Sequence, residues 1–150
     1  MRAITIYQPW ASLITEECKP YEFRKWPAYR RFVNQRIAIH ASARRVDVNE
    51  VKDLLYRLKT DGGQGTALVV DRSIELLERI LTRPSSLPLG AIVCTANLGA
   101  PKLAKDLFGD GVADSDRIDQ HVWAWPLTDV RRIEPPQPAT GKQGFWEWER

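Results

Sequence analysis

The chain has 150 residues, of which 43% are hydrophobic and 27% charged. This balance is typical of one globular domain and excludes long disorder, collagen-like repeats and a coiled coil. No apolar run approaches the roughly 20 residues that cross a bilayer, and the first residues lack the apolar region of a signal peptide. We therefore expect one cytoplasmic domain over residues 1–150, with no membrane contact.

The basic residues are concentrated in one part of the chain. The net charge is only +3, yet residues 19–45 hold eight Lys or Arg and a single acid, Glu22. Such segregation favours an anionic partner such as an RNA backbone, although a solvated basic loop would give the same pattern. Cys18 and Cys94 are too far apart to indicate a Cys-x-x-Cys site, so we expect two reduced thiols and no zinc.

The apolar spacing predicts strands and helices in alternation. Ile4 and Ile6 alternate as in a strand, and Asp47 is suited to cap the helix that ends before Gly62. Residues 121–133 and 145–149 should form two late strands, separated by a proline-rich loop. The other expected elements are a helix over 8–17, strands over 21–26 and 36–42, a helix over 73–81, a strand over 89–98, one or two helical turns over 102–108 and a loop over 109–119.

This element order indicates an α+β fold. Parallel βαβ units are too few for a doubly wound sheet, so we predict a small mixed or antiparallel β-barrel with flanking helices. Trp123 and Trp125 share one strand face, as do Trp146 and Trp148, and these four rings are predicted to pack in the core.

The segment from Lys19 to Arg24 carries the most informative charges. Glu22 and Arg24 are two apart on a predicted strand and therefore share a face, about 7 Å apart at Cα, with Lys19 at the preceding turn. Arg24 offers a planar fork for a phosphate or a base edge, Lys19 a mobile charge, and Glu22 an acceptor or general base. Alternatively, the three charges form ion pairs that only close the mouth of the barrel.

Lys19, Glu22 and Arg24 also occur in a recognisable register. The chain resembles the ASCH domain family of the PUA-like superfamily, whose pattern is Gly-x-Lys-x-x-Glu-x-Arg, with Glu17 in the place of the glycine. Further similarity covers residues 6–11, 38–42 and 144–146. The resemblance implies a PUA-like barrel with a cleft in which the three charged residues meet RNA or a nucleotide. Family members are variously suspected of binding RNA, acting in coactivators, cleaving RNA or hydrolysing the amide of a modified cytidine.

Aromatic rings near the basic segment are candidate platforms for unpaired bases. Trp26 follows Glu22 and Arg24 on their own strand face and is the favoured ring. We predict recognition of single-stranded RNA or a modified nucleotide, by a protein for which the sequence indicates no oligomeric state. The candidate contacts are Lys19, Glu22, Arg24, Trp26, Tyr7, Trp10, Arg30, Arg31 and Ser42.

Three alternatives remain open at this stage. A ribonuclease would use Glu22 or His40 as the base, with Lys19 or Arg24 stabilising the charge that develops on phosphate, and with or without Mg²⁺ or Mn²⁺. A nucleoside amidohydrolase is disfavoured, because that branch of the family has a lysine-activated threonine where this chain has Glu22. An adaptor that uses the basic segment to bind protein would show no RNA binding. The second histidine, His121, is expected to lie away from the charged cluster.

The late part of the chain is rich in aspartate. Its order fails the EF-hand pattern, so we predict a solvated loop with no dedicated metal site and no cofactor, and weak Mg²⁺ or Mn²⁺ binding as the alternative. The aspartates are Asp106, Asp110, Asp114, Asp116 and Asp119.

Overall fold

The computed structural model describes residues 1–115 and 117–150, whose strands join in one curled mixed sheet. The order is β2-β6-β4-β3-β1-β7, with β5 paired to β6, and β1 and β3 are the only parallel pair within these two ranges. The predicted α+β small barrel is confirmed in the form of a half-barrel, with four α-helices in the part of the chain that the structure describes. The strands are β1 (Arg2–Ile6), β2 (Tyr21–Arg24), β3 (Arg36–Ala41), β4 (Ala91–Leu98), β5 (Lys102–Leu103), β6 (Trp123–Pro138) and β7 (Trp146–Glu147).

The helices follow local signals in the sequence. The side chain of Asp47 accepts hydrogen bonds from the backbone N–H groups of Asn49 and Glu50, so it caps its helix as predicted. The third helix extends beyond the predicted 73–81 at both ends. No helix of the described residues has the length and apolar character needed to cross a membrane. The helices are α1 (Trp10–Thr15), α2 (Val48–Thr60), α3 (Val70–Thr82) and α4 (Ala104–Phe108).

Alternation along the strands divides the core into two layers. Ile4, Ile6, Ile37 and Ile39 point towards α1, α2 and α3 in the main core. The opposite face places Ala3, Ala38 and Ile92 against Trp146 and Trp148. As predicted, these two tryptophans and Trp125 are buried, whereas Trp123 is half-buried.

One strand is much longer than we predicted. β6 continues through the proline-rich segment to Pro138, which we had expected to be a loop. Its far half pairs with β4 on one side, and the described residues place no strand on the other side. A proline in such an edge position loses no ladder hydrogen bond when its nitrogen faces outward, which explains why the strand tolerates these residues.

The curl of the sheet brings β2 close to β1, and no backbone pairing joins the two strands among the residues described. β7 pairs with β1 only at Arg2 and Ala3. Beyond that point Arg24 Nη2 of β2 donates a hydrogen bond to the Thr5 carbonyl of β1, at 3.1 Å. We call this gap between β1 and β2, bridged by a side chain, the seam.

Candidate functional site

The turn before β2 directs Lys19 into the protein. Glu17 has a φ of 59°, in the left-handed region that glycine adopts more easily than other residues. The N–H groups of Cys18 and Lys19 both donate to the Leu13 carbonyl, at 2.8 and 3.1 Å. The replacement of glycine by Glu17 therefore leaves a tight turn at the end of α1.

Lys19 is buried, with only 3% of its surface exposed. Its ammonium group forms an ion pair with Asp114 and lies 3.9 Å from Glu22 Oε2. The same nitrogen is 4.8 Å from the centre of the Phe23 ring, a distance at which a cation and a ring attract each other. Lys19 is thus an internal charge whose partners are part of the protein.

Glu22 links Lys19 to Arg24. Its carboxylate accepts a hydrogen bond from Arg24 Nε at 3.0 Å, while Arg24 Nη2 is held by the Thr5 carbonyl. The side chain of Arg24 remains 22% exposed, against 10% for that of Glu22. The three residues are therefore one network in which Arg24 is the most accessible member.

The structure corrects our interpretation of the aspartate-rich segment. Asp114 is buried rather than solvated; it accepts a hydrogen bond from Lys19, and its Oδ1 lies next to His121 Nε2. Burial alone would raise the pKa of this carboxyl, but the charge of Lys19 and the hydrogen bonds from His121 and Lys19 lower it to about 2. Asp106, Asp110 and Asp119 are exposed, as expected, and Asp116 lies outside the described residues.

His121 belongs to the cluster, so the prediction that it lies apart from the charged residues is wrong. Its Nδ1 donates to the Arg117 carbonyl at 2.8 Å. Its Nε2 lies 2.9 Å from Asp114 Oδ1 and 3.2 Å from the Asp114 backbone nitrogen. The same ring nitrogen therefore contacts both the side chain and the backbone of Asp114. We call Lys19, Glu22, Arg24, Asp114 and His121 the seam cluster.

Tyr7 provides an exposed ring beside the seam cluster. The guanidinium groups of Arg44 and Arg117 lie 4.6 and 4.9 Å from its ring centre. Trp10 is buried, with Arg117 4.8 Å from its ring centre and its Nε1 donating to the Asp114 carbonyl at 3.2 Å. Of the two predicted platforms near β1, only Tyr7 presents a ring to solvent in this conformation.

The other candidate residues are distributed on both sides of the seam. Trp26, Arg30 and Arg31 are exposed in the connection between β2 and β3. Ser42 is buried, and its hydroxyl accepts from the Arg44 N–H at 3.1 Å. It therefore supports Arg44, which lies over Tyr7.

His40 is enclosed in the second layer of the core. Its Nε2 donates to the Ala139 carbonyl at 2.8 Å and its ring meets Trp146 edge-on, while its Nδ1 has no partner among the described residues. Burial lowers the pKa of His40, which favours a neutral ring. Among the described residues no hydrogen bond or ion pair joins His40 to Lys19, Glu22 or Arg24. The structure therefore does not bring together Glu22 and His40, the two candidate bases of a ribonuclease.

Sequence reasoning missed Asp114, His121 and Arg117 as members of this site. The apolar pair Val112 and Ala113 directly before Asp114 was the one local sign that the loop turns inward, and Val112 is indeed buried. Within the described ranges 1–115 and 117–150, no three acidic, histidine or cysteine side chains come together as a metal site.

The chain is thus a small α+β half-barrel whose seam holds a network of two buried residues, Lys19 and Glu22, and the partly exposed Arg24. The ASCH domain model matches residues 4–95, more than half of the chain. The protein belongs to the ASCH domain family, whose domains are in general RNA-binding and PUA-like. No curated protein matches the chain.

Proposed function

We propose that the protein binds single-stranded RNA or a modified nucleotide at the seam. The observation that carries this proposal is the state of Arg24, whose guanidinium is oriented by Glu22 and by the Thr5 carbonyl and yet remains partly exposed. An oriented guanidinium can bind phosphate or a base edge with little further ordering cost.

Lys19 and Glu22 have a positioning role in this proposal. Glu22 holds Arg24 directly, and Lys19 lies close enough to Glu22 to stabilise its negative charge. Because both side chains are buried and already paired, their effect on a ligand passes through Arg24. This assignment differs from the direct ligand contact that the sequence suggested for all three residues.

Tyr7 supplies the stacking surface for a base. Tyr7 is two residues beyond Thr5, the residue that Arg24 contacts, so the Cα atoms of Tyr7 and Thr5 are at most about 7 Å apart. The guanidinium groups of Arg44 and Arg117 lie over the same ring and bring positive charge to it, so a stacked base would take the place of one of them. A base on Tyr7 with its phosphate near Arg24 or Arg44 would use both kinds of contact that single strands require.

The geometry supports binding better than RNA cleavage. A general base must reach a ribose hydroxyl, but the Glu22 carboxylate is engaged by Arg24 and His40 is enclosed against Trp146. A cytoplasmic location is part of the proposal and is supported by the two buried, unpaired thiols, which are typical of reducing compartments.

Fluorescence anisotropy with a labelled single-stranded 12-nucleotide RNA tests the proposal. We expect binding that weakens steeply with salt, since about three phosphate contacts give a slope near −2 in log K against log[salt]. Arg24→Ala should weaken binding by roughly tenfold or more, the cost of a lost charged hydrogen bond. Gel analysis of the same mixtures with and without Mn²⁺ reports any cleavage.

Arg131→Ala is the matched control. Arg131 is exposed on the far half of β6, where it pairs with Asp129, and its loss changes the net charge by the same amount. Equal affinities for the Arg24 and Arg131 variants would refute the seam as the binding site. RNA cleavage abolished by Glu22→Gln would replace the binding proposal with the ribonuclease alternative.

A further inference from the structure

A groove next to the seam remains unassigned after the seam cluster has been described. It lies between the β2–β3 connection and the turn at Ala100 and Pro101, with a volume of ≈ 860 Å³. This volume is within the range of pockets that hold small organic ligands. Its walls include Trp26, Tyr29 and Arg30.

Two large aromatic rings are exposed at this groove. Trp26 is 62% and Tyr29 55% exposed, although burying such rings would normally stabilise a fold. Both are nevertheless anchored. The carbonyl of Trp26 accepts from Trp125 Nε1 at 3.1 Å, and the Tyr29 ring lies 5.8 Å from that of Phe145. The backbone of Trp26 and the ring of Tyr29 are therefore held by the aromatic residues Trp125 and Phe145.

The charged side chains at the groove are all positive. Arg30 lines it, and Arg31 lies with its guanidinium 5.5 Å from the centre of the Tyr29 ring. None of the lining residues is acidic, and no ion pair within the described residues engages Arg30 or Arg31. Stacking surfaces flanked by uncompensated guanidinium groups are complementary to unpaired bases with their phosphates.

The groove continues from the seam. Trp26 is two residues beyond Arg24, so their Cα atoms are at most about 7 Å apart. A stacked aromatic pair joins the two places as well, because the ring centres of Trp125 and Phe145 are 5.4 Å apart and the Arg24 guanidinium lies 5.8 Å from the centre of the Trp125 ring. A strand bound at Arg24 could thus reach Trp26 without crossing a gap.

We propose that the groove of Trp26, Tyr29 and Arg30 is a second stacking subsite, which binds the unpaired RNA bases adjacent to the nucleotide at the seam. This inference rests on the proposed function and deepens it. It predicts that affinity depends on the length of the strand and that the groove contributes only when the ligand extends beyond one nucleotide.

A length series tests the inference. Cytidine monophosphate and single-stranded RNAs of four and eight nucleotides are titrated against the wild type and the double variant Trp26→Ala/Tyr29→Ala by NMR chemical shift and anisotropy. For the wild type we expect affinity to rise with length. The double variant should lose roughly tenfold or more for the two longer RNAs, since stacking contributes strongly per base, and should bind the mononucleotide unchanged.

Tyr56→Ala is the control, because Tyr56 is 69% exposed on α2 and does not line the groove. Loss of affinity for the four-nucleotide RNA in this variant, or an unchanged length dependence in the double variant, overturns the subsite. Binding of a proline-rich peptide in place of RNA, abolished by the double variant, also overturns it in favour of a protein partner. Arg24→Ala separates the two proposals: if it has no effect while the double variant loses the longer RNAs, the groove stands and the seam fails.

Discussion

Lys19 and Asp114 form a buried ion pair although they are 95 residues apart in the chain. Each would be costly to bury alone, because the interior solvates an isolated charge poorly. Glu22 and His121 complete the surroundings of the pair. The loop before β6 is therefore attached to the start of β2 by charge.

Removing one partner of this pair should destabilise the protein strongly. Asp114→Ala leaves Lys19 buried with its main counterion missing, and we expect a loss of about 3 kcal/mol or more in the free energy of unfolding. Urea denaturation followed by tryptophan fluorescence measures it. Asp110→Ala, at an exposed aspartate of the same loop, should change stability by less than about 0.5 kcal/mol. Similar losses in both variants would show that the pair is not structurally important.

The pair should also make stability depend on pH. The pKa of Asp114 is lowered from 3.8 to about 2, so the carboxylate contributes stability above pH 4 that is lost as the pH falls from about 4 to about 2. The contribution is on the order of 2 kcal/mol. Urea unfolding of the wild type and of Asp114→Asn at pH 5 and pH 2.5 checks this, because the difference between them should shrink at the lower pH. A difference that stays constant contradicts it.

Glycine at position 17 should stabilise the turn that precedes Lys19. Glu17 is exposed and its backbone is in the left-handed region. Glu17→Gly therefore relieves about 1–2 kcal/mol of backbone strain, while the greater entropy of the unfolded chain costs less than that. We expect a net gain of about 0.5–1 kcal/mol. Glu75→Gly, at an exposed position within α3, should instead cost about 1 kcal/mol. Thermal denaturation of both variants measures the opposite signs, and a destabilised Glu17 variant would speak against strain.

A methyl group at Gly141 should disturb the packing of His40. A Cβ built there lies 2.5 Å from His40 Cε1 and 2.7 Å from Thr5 Oγ1, closer than real contacts allow. Gly141→Ala should therefore cost about 1–3 kcal/mol. The same substitution in a His40→Ala background should cost less by about 1 kcal/mol, since the ring is gone. Additive effects in this double-mutant cycle would place the strain elsewhere.

The two thiols should be inert in the folded protein. Both are buried, and burial raises the pKa of Cys18 and raises that of Cys94 to about 11. Because the thiolate is the reactive form, we expect no reaction with a disulfide reagent at pH 8 until urea unfolds the chain, and then two equivalents. Rapid reaction of one equivalent in buffer would show that a thiol is accessible.

Elements fixed by neighbours in sequence could be predicted. The Asp47 cap and the apolar spacing behind it define α2, and the alternation around Ile37 and Ile39 assigns the two faces of β3. These features depend on local geometry alone. The strand spacing likewise predicted that Lys19, Glu22 and Arg24 could converge, and the structure brings them together.

Features fixed by distant contacts could not be predicted. Asp114 lies in a segment rich in Gly and Asp, whose composition is typical of solvated loops, and only the approach of Lys19 from the other half of the chain makes its burial favourable. The place of His121 in the cluster could not be predicted either, because it depends on the buried position of Asp114. The continuation of β6 through its prolines required knowledge that one side of the strand has no neighbour, which is a property of the assembled sheet.

The long β6 strand determines where Glu22 and Arg24 lie, although it contributes no charged residue to the seam cluster. In the pairing of β2 with the first residues of β6, Glu22 lies opposite Trp125 and Arg24 lies opposite Trp123. The rest of β6 pairs with β4. Because side chains alternate along a strand, a slip of one residue between β2 and β6 would turn both charges to the opposite face. Substitutions that loosen this alignment could therefore abolish ligand binding while every charged residue remains present.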